Sequence, residues 1–139
     1  MIEFHFKSDL VIEDESEFAD WIDRIIQSEG FVAGQIDYIF CTDEYLLQLN
    51  QKYLNHDTLT DIITFDYTDA KTISGDIFIS TDRVEDNAKE FQVDVLNELR
   101  RVMSHGILHL AGYGDKSDDE AKLMREKEEE KIKMFHVEP

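Results

Sequence analysis

Ile2, Phe4 and Phe6 alternate with Glu3 and His5 at the start of the chain, the period of a half-buried strand. The period then changes. Phe18, Trp21, Ile22 and Ile25 recur at i, i+3, i+4 and i+7 behind Asp14 and Glu17, which stand at capping-box spacing. This predicts an amphipathic helix that stops near Gly30, the residue best suited to a left-handed terminus. Gln35 to Cys41 returns to alternation, with Ile36, Tyr38 and Phe40 on one face, and reads as a second strand. Asp43 is then expected to cap a short helix carrying Tyr45, Leu46, Leu49 and Tyr53. Thr60 to Tyr67 and Ile73 to Ser80 are rich in β-branched and aromatic residues and read as two more strands, joined by a short connection. From Thr81 the pattern is helical, through Val84, Ala88 and Phe91 and then Val95, Leu96, Leu99, Val102, Met103 and Leu110. A last helix opens on Ser117 and Glu120, again at capping-box spacing.

Strands that gather early and helices that gather late predict an α+β fold, with helices packed on a small mixed β-sheet. The 139 residues fit a single domain, residues 1–139, with no repeat and no proline before Pro139. The longest unbroken apolar run is the four residues Tyr38 to Cys41, so neither a membrane span nor a signal peptide is expected. Cys41, alone, can form no internal disulfide, and a cytoplasmic location is the expectation.

Charge narrows the choice of partners. The formal net charge is −18, and residues 1–82 hold 4 Lys and Arg against 18 Asp and Glu, a balance of −14. Bulk electrostatics therefore oppose nucleic acid and anionic membranes. An RNA contact would need a local basic patch, for which Arg83, Lys89, Arg100 and Arg101 are the candidates.

One segment carries chemistry: His105-Gly106-Ile107-Leu108-His109-Leu110-Ala111-Gly112-Tyr113-Gly114-Asp115. Residues four apart share a helical face, so His105 and His109 can direct ring nitrogens at one ion. Gly112 is suited to end the helix and turn the chain back, which brings Asp115 to the same place. Two imidazoles and one carboxylate leave a fourth position open, the arrangement of a catalytic rather than a structural zinc site. The spacing is that of a zincin-like helix, but the position of the peptidase general base is Gly106. A glycine inside a helix costs about 1 kcal/mol relative to alanine, so another element or a substrate is expected to approach the backbone there. Glu98, seven residues before His105, is either a solvated helix residue or a partner for a ligand. His5 and His136 read as surface residues, His56 as a loop residue within reach of the site, and Met124 and Met134 as core. No residue is assigned as catalytic base.

The run His105 to Tyr113 resembles the metal motif of the YbeY endoribonuclease family. Asn50 to Tyr53, Thr60-Asp61-Ile62-Ile63-Thr64-Phe65 and Gly75-Asp76-Ile77-Phe78-Ile79-Ser80 are similar to three further segments of that family, in the same order. Three positions depart from the family pattern. Asp115 stands for the third histidine ligand, Leu54 for an arginine after the motif tyrosine, and Asp66 for a proline. The resemblance implies a zinc-dependent endoribonuclease acting on single-stranded RNA, with one Zn²⁺ per chain held by His105, His109 and Asp115. It implies a role at the 3′ end of small-subunit ribosomal RNA and in ribosome quality control. The implied partners are ribosomal proteins or a ribosome-associated GTPase, with no DNA and no membrane. Two rivals stay open: a metal-stabilised, non-catalytic ribosome-associated protein, and a metallopeptidase.

Overall fold

The computed structural model describes residues 1–55 and 58–135, so His56 and His136 lie outside the described residues. The elements run β1 (Ile2–Phe6), α1 (Glu15–Ser28), β2 (Val32–Cys41), α2 (Asp43–Leu54), β3 (Ile62–Asp66), β4 (Thr72–Ser80), α3 (Thr81–Phe91), α4 (Val95–Leu110) and α5 (Asp118–Met134). The four strands form one mixed sheet in the order β1-β2-β4-β3. β1, β2 and β4 are parallel, and β3 is an edge strand antiparallel to β4, with Thr64 opposite Ile77.

The alternation read in β4 sorts the two faces of the sheet. Ile73, Ile77 and Ile79 join Ile36, Tyr38 and Phe40 in the main core with Trp21, Ile22 and Ile25 of α1 and Leu99, Val102, Met103 and Ile107 of α4. Phe78, Phe65 and Ile63 face the other way and cover Leu46 and Leu49 of α2. Helix α4 is thus pressed between sheet, α3 and α5. The Tyr38 hydroxyl, buried with it, donates to the Met103 carbonyl at 2.9 Å, and Trp21 Nε1 donates to the Lys131 carbonyl at 2.7 Å, which ties α5 to α1.

Most local signals are where the sequence puts them. Asp14 accepts from the Glu17 N–H, Ser117 and Glu120 close a full capping box, and Gly30 takes φ +84 just past α1. Met124 is buried, in keeping with a core role. Two expectations need correction. The cap of α2 is Thr42, extended, with its Oγ1 accepting from the Tyr45 N–H at 3.2 Å; Asp43 sits inside the first turn and takes Ser80 and Arg83 instead. The long helical pattern after Thr81 is two helices, because Gln92 adopts φ 57 and turns the chain between α3 and α4.

Candidate functional site

Gly106 shows why α4 can lie so close to the sheet. A Cβ built there would stand 3.0 Å from Ile62 Cδ1 and 3.0 Å from Ile77 Cγ2. The approach predicted at this glycine is therefore made by the sheet, and no glutamate fits at the position where a zinc peptidase carries its base.

The end of α4 is a Schellman turn. Gly112, at φ +107, donates to the His109 carbonyl and Tyr113 to the Leu108 carbonyl, both at 3.0 Å. The chain reverses and carries Asp115 back to the helix, where its Oδ2 lies 3.3 Å from His105 Nε2. At the adjoining Gly114 a Cβ would collide with the Glu120 carboxylate, which is held in the capping box of α5. The two histidine rings lie side by side, with centroids 5.8 Å apart and planes inclined by 26°.

Each imidazole is held through Nδ1. His105 Nδ1 meets Glu128 Oε2 at 2.6 Å, and His109 Nδ1 meets the Tyr113 carbonyl at 2.9 Å. Both acceptors are oxygens, so the Nδ1–H tautomer is the one each contact favours, and Nε2 is left with its lone pair. This is how ligating histidines are normally oriented. Burial pulls the His105 pKa down, but the hydrogen bond and charge of Glu128, with the charges of Asp115 and Asp61, outweigh it and raise it above the ordinary histidine value. Among the described residues, no group of three or more His, Cys, Asp or Glu side chains is arranged as placed to hold a metal ion. His105 and Asp115 are brought together; the exposed His109 stands beside them.

A polar frame stands behind His105. Arg101, one turn earlier on α4, donates from Nε and Nη2 to the two oxygens of Glu98 at 2.9 and 2.6 Å, and from Nη1 to Glu128 Oε1 at 3.1 Å. Asp61 lies 3.8 Å from its Nη2. Burial raises the Asp61 pKa, with Arg101 and His105 pulling the other way. Glu98 is buried and serves Arg101; the carboxylate on His105 is Glu128 of α5.

These groups open onto a cleft of about 500 Å³ whose lining includes Asn50, Leu54, Thr58, Asp61 and Ile62 together with Arg101, His105, His109 and Asp115. Of the four cations considered for RNA contact, Arg101 lines it. Arg83 is bound to Asp43 and Asp86, and Arg100 lies over the Phe135 ring. Sequence reasoning missed Asp61 and Glu128. Asp61 had its place in a family-like segment as a signal; Glu128 had none, since it sits among charged residues of an outwardly ordinary helix.

The model of the family described as Endoribonuclease YbeY matches residues 3–136. The chain belongs to that family. It is 59% identical to Endoribonuclease YbeY of Flavobacterium johnsoniae over 138 residues, covering 99% of each chain. Its identity to the Flavobacterium psychrophilum relative of the same name is 53%, over 99% of this chain and 98% of that one. The fold is similar to the solution structure of TM1509 from Thermotoga maritima, with TM-score 0.67, 28% identity, and coverage of 97% of this chain and 89% of that one. No described helix is long and apolar enough to cross a membrane.

Proposed function

We propose that this member of the family is a zinc-dependent endoribonuclease that cuts single-stranded RNA in the cleft beside α4, with the ion held by His105, His109 and Asp115. The observation that carries the reading is the pairing of His105 Nε2 with Asp115 Oδ2 at 3.3 Å while both histidines are engaged through Nδ1. A charge-assisted hydrogen bond would be shorter, about 2.7–2.9 Å. An imidazole nitrogen and a carboxylate oxygen brought this close would both be available to hold one zinc ion. The donor set fits a hard or borderline cation with a position left for substrate.

Zinc in that place supplies a Lewis acid for a phosphoryl oxygen and lowers the pKa of water. The chain's own residues do the rest. Glu128 and the Tyr113 carbonyl fix the two rings; Asn50 and Thr58 give the cleft lining polar groups, and Leu54 and Ile62 give it apolar surface on which a base can lie. The cleft carboxylates Asp61 and Asp115, and a guanidinium already matched by Glu98 and Glu128, would otherwise repel a phosphodiester. A divalent ion reverses that local sign. Hydrolysis by water and attack by the ribose 2′-hydroxyl are both compatible with these groups.

The cellular reading follows the resemblance: maturation of small-subunit ribosomal RNA at its 3′ end and ribosome quality control in the cytoplasm. A chain of charge −18 gains little from bulk attraction to RNA, so ribosomal proteins or a GTPase would deliver it. The test is cleavage of single-stranded RNA, with casein as control, by protein stripped with chelator and then given zinc back. RNA cutting that is lost and regained supports the reading. Cutting that is indifferent to chelator removes the metal from it, and casein cleavage would favour a peptidase.

A further inference from the structure

The frame behind His105 is built at a cost. Glu98 and Glu128 are 2% and 3% exposed, and one guanidinium stands between them. Two carboxylates around a single cation leave an excess negative charge out of water, an arrangement that stability alone does not favour. What the arrangement achieves is orientation. Both Glu98 oxygens are used by Arg101, so the guanidinium plane is fixed. Its remaining nitrogen takes one oxygen of Glu128, and the other oxygen of Glu128 takes His105 Nδ1. The four groups form one chain, Glu98–Arg101–Glu128–His105, running from α4 to α5 and back to α4.

We propose that Arg101 is a positioning residue: clamped by Glu98, it holds Glu128 in the single orientation that accepts from His105 Nδ1 and so presents His105 Nε2 to the cleft. The inference rests on the metal-centre reading for its purpose, and on the four-residue chain for its substance. Three of the five N–H groups of Arg101 are already donated to the two glutamates, so its first engagement is with the frame and at most two are left for substrate. Lysine cannot replace it, since an ammonium cannot span both Glu98 oxygens and reach Glu128 in one fixed plane.

Long-range proton–nitrogen NMR of the full-length, metal-free protein at alkaline pH reads the tautomer of His105 directly, and cobalt(II) titration followed in the visible spectrum reads the ion site. The wild type should show the Nδ1–H tautomer. Arg101→Met and Arg101→Lys should both show mixed tautomers and bind cobalt about tenfold or more weakly, the usual effect of losing an outer partner. Because Arg101→Met strands two buried carboxylates and can impair folding, the double variant Arg101→Met/Glu98→Leu is the deciding one. It removes a charge of each sign and leaves Glu128 without its clamp. Mixed tautomers in a folded double variant support the proposal. A pure Nδ1–H tautomer there, with wild-type cobalt affinity, overturns it. Wild-type protein that takes up no cobalt or zinc would overturn the metal reading instead, and the tautomer alone would then decide the role of Arg101.

Discussion

His105 Nε2 and Asp115 Oδ2 lie 3.3 Å apart although a helix end and a turn place them ten positions apart in the chain. The Schellman turn at Gly112 creates that proximity. If Asp115 is a ligand, Asp115→Ala should lose zinc affinity by more than the roughly 10–100-fold that an outer partner costs, with the fold intact. Asp115→His should retain the ion, since imidazole is an equally good zinc donor. If the carboxylate serves only as a flank to the N-terminus of α5, its loss would leave zinc affinity unchanged and cost about 0.3–1 kcal/mol. Isothermal titration and thermal melting of both variants separate these outcomes.

Gly106→Ala tests the packing that sets the height of α4 above the sheet. Alanine raises helix propensity by about 1 kcal/mol. Its Cβ, however, meets Ile62 Cδ1 and the stiff, fully buried Ile77 Cγ2 at 3.0 Å, and overpacking of this kind costs about 1–3 kcal/mol. The expected net effect is a loss of about 1 kcal/mol in urea unfolding, together with weaker zinc binding as the helix is pushed outward. A gain in stability would show that Ile62 and Ile77 give way freely.

Leu54 lines the cleft where the resembling family carries an arginine. Leu54→Arg should therefore tighten single-stranded RNA binding at low salt, by about threefold to tenfold. It should also steepen the dependence of log K on log salt by about 0.7, the contribution of one added phosphate contact. Fluorescence anisotropy across a salt series checks both. An unchanged slope would place the RNA backbone away from this wall.

Glu29 links the C-terminus of α1 to the turn after α4. Tyr113 donates to it at 2.6 Å, and Lys131 and Lys127 stand at 2.7 and 3.3 Å. Burial works against its ionisation, but the hydrogen bonds of Lys131 and Tyr113 and the two lysine charges outweigh it and hold the carboxyl below the ordinary 4.5. A depressed carboxylate pKa contributes stability that is present above the ordinary value and lost as pH falls through the folded one. Glu29→Gln leaves the buried Lys131 with the exposed Glu130 as its charge partner and the Ser28 hydroxyl as a neutral one, so it should cost about 2 kcal/mol at neutral pH. The gap between variant and wild type should close as pH drops below 4.5. Urea titrations between neutral and acid pH would show it; a gap independent of pH would mean that Glu29 acts by packing.

Short-range features were readable because their causes are local. Ser117 and Glu120 satisfy one another within a single turn, and Gly112 has to be glycine for its positive φ. The two strands that pair Thr64 with Ile77 were visible as runs rich in β-branched and aromatic residues, while their pairing was not. Gly106 announced a close approach without saying to what, because Ile62 and Ile77 reach it only through the tertiary fold. The break at Gln92 carried no glycine or proline to mark it. Glu128 was hidden most completely. It lies among alternating glutamates and lysines that look solvated, and nothing local distinguishes it from Glu126 or Glu129. Only the docking of α5 on α4 turns that one carboxylate inward, toward His105 and Arg101.

A chain is synthesised from its N-terminus, and its segments begin to order in that sequence. Here the helix that carries both imidazoles is made before the helix that carries the carboxylate orienting one of them. A nascent chain that has released α4 but not α5 therefore lacks the carboxylate that orients His105, and Arg101 lacks one of its two glutamate anchors. On the site proposed above, this order of emergence would delay competence until α5 has docked. Chains stalled on the ribosome before Asp118 should leave neighbouring RNA intact, and those released past Met134 should not.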